Sequence, residues 1–145
     1  MPKKCTKISK DPLIKVEENG RKAVFINSYA KKYRISKIDG CIVTAGPRTD
    51  FLVSEIGNSS ILVELKGKDL KHACEQLFAS AQHENVRPLL ENKVGFLIIC
   101  SRFPRFDTYV ARAKTHAARV YKTGFHVKCD QRELEINKIV TIKGT

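Results

Sequence analysis

The sequence lacks any long apolar run. Its longest, Val94 to Cys100, is interrupted by Gly95 and is much shorter than the ~18 apolar residues that a membrane-spanning helix needs. The basic residues at the N-terminus are not followed by an apolar stretch, so a secretory signal is not predicted. We therefore expect an intracellular, cytoplasmic protein that does not enter a membrane.

The motifs of several enzyme classes are also missing. The four histidines show no H-E-x-x-H or related spacing, which argues against a zinc site. No G-K-[ST] loop and no G-x-G-x-x-G occur, so nucleotide-cofactor chemistry is not supported. The G-x-S-x-G elbow of the α/β-hydrolases is absent as well.

The five cysteines are scattered and never form a C-x-x-C pair. Zinc sites and redox pairs usually show such close spacing, so neither is predicted. Scattered cysteines in apolar surroundings usually behave as small core residues in a reducing compartment. We expect this of all five, which are Cys5, Cys41, Cys74, Cys100 and Cys129.

Positive charge is what the sequence has in excess. Lys and Arg number 27 against 15 Asp and Glu, which gives a formal net charge of +12. This charge favours a polyanionic partner, nucleic acid first, because a basic surface gains affinity by releasing counterions condensed on phosphates. The alternative is a basic protein without such a partner. An anionic membrane is less favoured, since no helix sets bulky apolar residues opposite a lysine face.

Length and periodicity predict one domain. A chain of 145 residues suits a single core, and the Lys-rich residues 1–12 predict a mobile basic arm before a domain at 13–145. Residues 21–26 fit a strand or a helix end, and 133–142 could add a strand. Alternating or apolar segments predict further strands at 33–43, where Asp39-Gly40 could bend the strand, and at 48–56, 61–66, 94–101 and 125–129.

Two helices are predicted between these strands. Asp69 can cap the first, which runs to about His83, and Asp107 can cap the second, which runs to about Lys122 and is closed by Gly124. The resulting order is βββαβαβ, a meander followed by a crossover. It predicts an α/β fold, a three-layer sandwich with a mixed central β-sheet.

The most informative segment is 61–67, which contains the apolar strand predicted at 61–66. Glu64 and Lys66 lie two residues apart, so both point to the same face of this strand. Burying an unpaired charge is very unfavourable, so the two must pair or share a divalent cation. Asp50 begins the preceding strand, and pairing of the two strands would bring its carboxylate close to Glu64. Two carboxylates and water suit Mg²⁺, which can activate a bound water, while Lys66 offsets transition-state charge.

Asp50 followed by Glu64-Leu65-Lys66 resembles the D…(D/E)-x-K signature of the PD-(D/E)XK nuclease superfamily. Restriction endonucleases, archaeal Holliday-junction resolvases and several repair nucleases belong to this superfamily. The likeness covers residues 33–122, where three strands, a helix, a strand and a helix follow in the superfamily's order. It implies a restriction-endonuclease-like core.

The resemblance implies a role for each matching residue. Asp50 and Glu64 would bind Mg²⁺ or a substituting Mn²⁺, together with the backbone carbonyl of Leu65. Lys66 would complete the catalytic set. Gln76, on the helix after the signature, resembles a glutamine found in some branches of the superfamily.

Three features depart from the signature or weaken it. Thr49 precedes Asp50 where proline is usual. The upstream glutamate of many members, which lies on an N-terminal helix, has only Glu17 and Glu18 as candidates. A second E-x-K occurs at 91–93, but it falls in a predicted loop rather than in an apolar strand.

We therefore expect a Mg²⁺-dependent nuclease, a DNA endonuclease before an RNA enzyme, acting as a homodimer on two strands. A non-catalytic nucleic-acid-binding module or a subunit of a larger complex is the alternative. In that case Glu64 and Lys66 would be a solvent-facing pair and Asp50 a turn cap. Basic residues that could grip phosphates are Arg48, Lys68, Lys71, Arg112, Lys114 and Arg119.

Overall fold

A mixed six-stranded sheet organises the molecule. The computed structural model describes residues 5–65, 69–100, 107–129 and 134–142. The strands are β1 Thr6–Ser9, β2 Leu13–Glu18, β3 Arg21–Ile26, β4 Tyr33–Lys37, β5 Phe51–Glu55, β6 Ser59–Leu65, β7 Lys93–Cys100 and β8 Phe125–Cys129. The helices are α1 Leu70–Gln82, α2 Thr108–His116, which continues as a π-helical turn at Ala117–Tyr121, and α3 Ile136–Ile139. A 3₁₀ turn spans Arg87–Leu89.

The strand directions bring several chain ends to one edge of the sheet. The order is β1-β4-β5-β6-β7-β8, with antiparallel pairs from β1 to β6 and parallel pairs from β6 to β8. The carboxyl ends of β4, β6, β7 and β8 therefore lie beside the amino end of β5. We call this edge the carboxyl end of the sheet. Both α1 and α2 begin there, because each follows a parallel strand.

Layers of side chains cover both faces of the sheet. Helices α1 and α2 pack on one face, and the β2–β3 hairpin with α3 packs on the other. Along β6, Leu62 contributes to the helix side while Ile61 and Val63 contribute to the hairpin side. A strand covered on both faces must be apolar throughout, so Glu64 within it is an exception that needs a partner. The predicted α/β class and mixed sheet are confirmed.

The two predicted helix caps are confirmed. Asp69 accepts a hydrogen bond from the backbone N–H of His72 at 3.0 Å. Asp107 accepts one from the backbone N–H of Val110 at 2.9 Å. Each carboxylate satisfies a donor that the first turn of a helix leaves without an intrahelical acceptor. The caps fix the start of α1 and α2 at the carboxyl end of the sheet.

The second predicted helix ends differently from the expectation. It closes at Lys122, which is left-handed with φ 56°, and not at Gly124. Glycine is needed at position 124 for another reason. A Cβ there would lie only 2.7 Å from the carbonyl oxygen of Ile139, so the close approach of the C-terminal segment excludes a side chain.

The strand predicted over 33–43 is also too long. β4 ends at Lys37, and the chain turns at Gly40, whose φ is +76°. The turn is closed by hydrogen bonds from Val43 N to Ile38 O at 2.9 Å and from Gly40 N to Val43 O at 3.0 Å. A left-handed glycine interrupts strand geometry, and this turn redirects the chain toward Asp50.

Both ends of the chain depart from the sequence-based interpretation. Within residues 1–12, Thr6–Ser9 form β1 and pair with β4, so these four residues belong to the sheet and not to an arm. Of the predicted strand at 133–142, the described residues 134–142 form only an isolated bridge from Leu134 to Phe25 and the short helix α3 at Ile136–Ile139. Ile136, Ile139 and Val140 recur at helical spacing and enter the hairpin-side core.

A disulfide corrects the prediction of five reduced cysteines. Cys5, directly before β1, is bonded to Cys41 in the turn after β4, with Cα atoms 5.6 Å apart. Cys74 and Cys100 are buried thiols, as predicted. Because disulfides are typical of oxidising compartments, the cytoplasmic location stays a prediction. None of the helices in the described ranges is long and apolar enough to cross a membrane.

Candidate metal and catalytic site

Asp50 lies directly before β5 at the carboxyl end of the sheet, and only 7% of it is exposed. Its Oδ2 accepts a hydrogen bond from the backbone N–H of Leu65 at 2.7 Å. Its backbone carbonyl accepts one from the N–H of Ile38 at 2.9 Å. The residue is therefore tied to the end of β6 by its side chain and to the end of β4 by its backbone.

Glu64 is more deeply buried, at 2% exposed. It follows Leu62 by two residues on β6 and so faces α1 and α2. The hydroxyl of Thr49 lies 3.2 Å from Glu64 Oε1 and 2.8 Å from the carbonyl oxygen of Val63, and it donates toward both. Thr49 thus holds the Glu64 carboxylate against the segment that carries Asp50.

Hydrogen bonds run in both directions between the segment before β5 and the end of β6. Asp50 binds the backbone of the residue after Glu64, and the residue before Asp50 binds the Glu64 side chain. The structure therefore brings together the three residues predicted to surround a metal: Asp50, Glu64 and Leu65. Lys66 and Lys68 lie outside the described residues.

Thr49 is itself anchored to α1. Its backbone N–H donates to Ser80 Oγ at 2.7 Å, and both residues are fully buried. The sequence shows Thr49 only as a departure from the proline of the signature. Nothing in its one-dimensional context reveals that it links α1 to Glu64, because that link depends on the packing of α1 over β6.

Gln76 on α1 contacts the segment that precedes Asp50. Its Nε2 donates to the carbonyl oxygen of Arg48 at 3.0 Å. Its Oε1 is buried and accepts no hydrogen bond from any residue that the structure describes. A buried acceptor without a donor is unusual, so Gln76 offers an unused acceptor, and its contact with Arg48 lies two residues before Asp50 along the chain.

A second acidic group adjoins Asp50. Carboxylate oxygens of Glu18, Asp39 and Asp50 lie within 4.8 Å of one another. Two of them have basic partners: Arg48 Nε lies 2.7 Å from Asp39 Oδ1, and Lys37 Nζ lies 3.5 Å from Glu18 Oε1. The positive charges partly offset the repulsion among the three carboxylates.

Glu18 reaches the site from a strand. It was one of two candidates for an upstream acid on a helix, but it ends β2. The two residues that follow, Asn19 and Gly20, both have positive φ, at 53° and 78°, as the two-residue turn of a β-hairpin requires. The Asn-Gly pair is a strong hairpin signal that could have placed Glu18 over the sheet.

The residues predicted to bind phosphate differ in their exposure and in their contacts. Arg48 is engaged by Asp39 and also donates to the carbonyl oxygen of Gly46 at 2.7 Å. The other described members are exposed on the helices, Lys71 on α1 and Arg112, Lys114 and Arg119 on α2 and its π-helical turn. Lys71 lies in the first turn of α1, at the carboxyl end of the sheet, and the other three extend this basic surface along α2 away from that end.

Three buried groups have shifted pKa values. Burial raises the pKa of Cys74 to about 12, and the charges of Asp107 and Glu75 add to the shift. Burial also raises the pKa of Tyr33 and lowers that of His126. At neutral pH the Cys74 thiol, the Tyr33 phenol and the His126 imidazole are therefore uncharged.

The second E-x-K segment lies at the opposite end of the sheet. Glu91 Oε2 is 3.4 Å from Arg34 Nη2, and Glu91 Oε1 accepts from the backbone N–H of Gly57 at 2.9 Å. Lys93 begins β7. Glu91 thus lies in a loop and pairs with an arginine of β4, whereas Glu64 is buried in a central strand.

Comparison of the chain with protein-family models, with curated proteins and with solved structures gives no match.

Proposed function

We propose that this chain is a metal-dependent nuclease of the PD-(D/E)XK type that hydrolyses DNA phosphodiester bonds with Mg²⁺ or Mn²⁺. The observation that carries the proposal is the convergence of two buried carboxylates at the end of β6. Asp50 binds the backbone at Leu65, and Thr49 binds Glu64. Burying a carboxylate is costly, and a cation-binding function would explain why two of them are kept at this position.

The donor set fits a hard divalent cation. Mg²⁺ binds oxygen at about 2.1 Å, so ligands on opposite sides of the ion lie about 4.2 Å apart. The carboxylate oxygens that lie within 4.8 Å of one another, close to this span, are those of Glu18, Asp39 and Asp50, so the measured span applies to Asp50 and its two acidic neighbours and not to Glu64. Asp50, Glu64 and the Leu65 carbonyl would hold the ion, and the acceptor of Gln76 would orient one of its waters.

A metal held there supplies the chemistry that phosphodiester hydrolysis needs, since it polarises the phosphate and lowers the pKa of water. The side chains have separate tasks. Asp50 and Glu64 would hold the ion, and Thr49 orients Glu64 through its hydroxyl. Lys66, two residues after Glu64, would position the attacking water and offset negative charge on the phosphorane-like transition state.

The surface supports a nucleic-acid substrate. Helices α1 and α2 begin at the carboxyl end of the sheet, where Asp50 and Glu64 also lie, and both helices carry exposed basic side chains. A net charge of +12 favours binding to a phosphate backbone. The preference for DNA over RNA is a further part of the proposal and rests on the resemblance. The homodimer that acts on two strands is another, and it rests on the small size of the chain, which covers little duplex.

Cleavage of plasmid DNA with Mg²⁺, Mn²⁺ or EDTA tests the proposal. We expect nicking or linearisation with either metal and none with EDTA, and loss of cleavage in Glu64→Gln. Glu84→Gln, at an exposed glutamate just after α1, is the control and should cleave like the wild type. Tight DNA binding without cleavage under any metal would instead favour a binding module or a subunit that needs its partner.

A further inference from the structure

A groove between α1 and α2 has the chemistry of a site for an unpaired nucleotide. It encloses about 350 Å³, within the range of small-molecule sites. Its floor is apolar and aromatic, formed by Cys74, Phe78, Ala113 and His116, and its rim carries Lys71, Tyr109 and Arg112. Because burial raises the pKa of Cys74 to about 12, the floor carries no thiolate at neutral pH.

The groove opens at the carboxyl end of the sheet. Lys71 is the second residue of α1 and Tyr109 the second residue of α2. The two helices meet there, where Cys74 Sγ lies 3.9 Å from the carbonyl oxygen of Tyr109. A nucleotide in the groove would therefore lie on the same edge of the sheet as Asp50 and Glu64.

Charge at the rim complements a phosphate backbone. Among the described residues, no carboxylate lies within ion-pairing distance of Lys71 or Arg112. Glu75, the one carboxylate of the lining, lies 3.9 Å from His72. A neighbouring hollow extends the basic surface from Arg112 to Arg119 along α2.

Tyr109 is the residue that distinguishes a single strand from a duplex. Its side chain sits at the rim and the residue is 43% exposed, with the Lys71 ammonium 5.5 Å from the ring centroid. An exposed aromatic ring beside cations is the usual platform on which a base stacks. The bases of a duplex already stack on one another, so only an unpaired base can use this ring.

We propose that this groove binds an unpaired nucleotide of a DNA strand, with the base against Tyr109 and the flanking phosphates on Lys71 and Arg112. The inference rests on the proposed nuclease function and deepens it. It identifies the substrate as DNA with a single-stranded stretch beside the cleaved bond. The base would displace the ammonium of Lys71 from the ring, and the ammonium would then contact a phosphate.

Binding measurements without metal separate this inference from the nuclease function. Fluorescence anisotropy in EDTA would compare a labelled single strand with a blunt duplex of the same sequence. We expect Tyr109→Ala to weaken single-strand binding about 5- to 100-fold and duplex binding by less than about 2-fold. Tyr109→Phe, which keeps the ring, should bind like the wild type.

Tyr29 provides a matched control. It is more exposed than Tyr109, at 85%, but it precedes β4 and so lies at the opposite end of the sheet. Tyr29→Ala should leave both affinities unchanged. Photocrosslinking of a strand that carries 5-iodouracil, followed by peptide mass spectrometry, should identify Tyr109 and not Tyr29.

The outcomes distinguish the two proposals. Equal effects of Tyr109→Ala and Tyr29→Ala, or crosslinks away from the groove, would overturn the nucleotide site and leave the nuclease untouched. A dimer of the chain that Tyr109→Ala dissociates, without a change in DNA affinity, would show that a second copy occupies the groove and would also overturn it. If the wild type binds neither strand nor duplex, both proposals fail together.

Discussion

The Asp50 carboxylate accepts a hydrogen bond of 2.7 Å from the backbone N–H of Leu65. This bond joins the residue before β5 to the last residue of β6, and it brings Asp50 beside Glu64. Asp50 therefore has a structural role, because it ties the two strands together, and under the proposed function it has a chemical role as a metal ligand. Variants that separate these two roles test the site.

Asp50→Asn removes the charge but keeps an oxygen that can accept from Leu65. We expect metal-dependent cleavage to fall at least about 100-fold, because a metal ligand loses its charge while the strand junction survives. Titration calorimetry with Mn²⁺ should show a parallel loss of affinity. Unchanged cleavage in Asp50→Asn would exclude this residue as a ligand.

Thr49 should act through Glu64. Thr49→Val keeps the shape of the side chain but removes the hydroxyl that contacts Glu64 Oε1 and the Val63 carbonyl. We expect a loss of about 1–3 kcal/mol in the free energy of unfolding by urea, together with weaker Mn²⁺ binding. Thr49→Ser, which restores the hydroxyl, should recover metal affinity. If both variants bind Mn²⁺ equally well, Thr49 does not position the glutamate.

The disulfide between Cys5 and Cys41 should stabilise the sheet edge. The two residues are separated by 36 positions, and closing such a loop in the unfolded chain contributes about 4 kcal/mol in the chain-entropy account. Reduction should therefore lower the midpoint of urea unfolding. Cys5→Ser should match the reduced wild type and should no longer respond to reductant. A wild type with the same midpoint in both states would contradict this.

His126 should make stability depend on pH. Burial lowers its pKa below the 6.5 of an exposed imidazole, so the unfolded chain takes up a proton before the folded one does. Stability should therefore be fully present above about pH 6.5 and decline as the pH falls toward the folded-state pKa. His126→Phe should reduce this decline, measured as the midpoint of thermal unfolding against pH. His72→Gln, at an exposed position, is the control and should retain it.

The elements of this fold were predictable to different degrees. The strand and helix order from β4 to β8 follows from periodicity and from the caps Asp69 and Asp107, since those signals are local. The hairpin that supplies Glu18 was missed, although Asn19 and Gly20 mark its turn. Pairing of Cys5 with Cys41 could not be predicted, because it depends on β1 joining the sheet beside β4.

Within the candidate site, only the residues that differ sharply from their neighbours in the sequence could be predicted. Glu64 is conspicuous as a charge within an apolar strand, and Asp50 became informative through its spacing from Glu64. The part played by Thr49 and Ser80 could not be read from the sequence, because it needs α1 to pack across β6. Long-range contacts between segments of ordinary composition leave no periodic signal.

The two E-x-K segments of this chain allow a direct test of the central claim, that the segment at 64–66 carries catalysis. We would measure cleavage of plasmid and branched DNA in Mg²⁺ by wild type, Lys66→Ala and Lys93→Ala. The account predicts that Lys66→Ala lowers the rate about 100-fold or more, whereas Lys93→Ala, at the opposite end of the sheet, cleaves like the wild type. Equal rates in Lys66→Ala and the wild type, or no metal-dependent cleavage by any of the three, would contradict it.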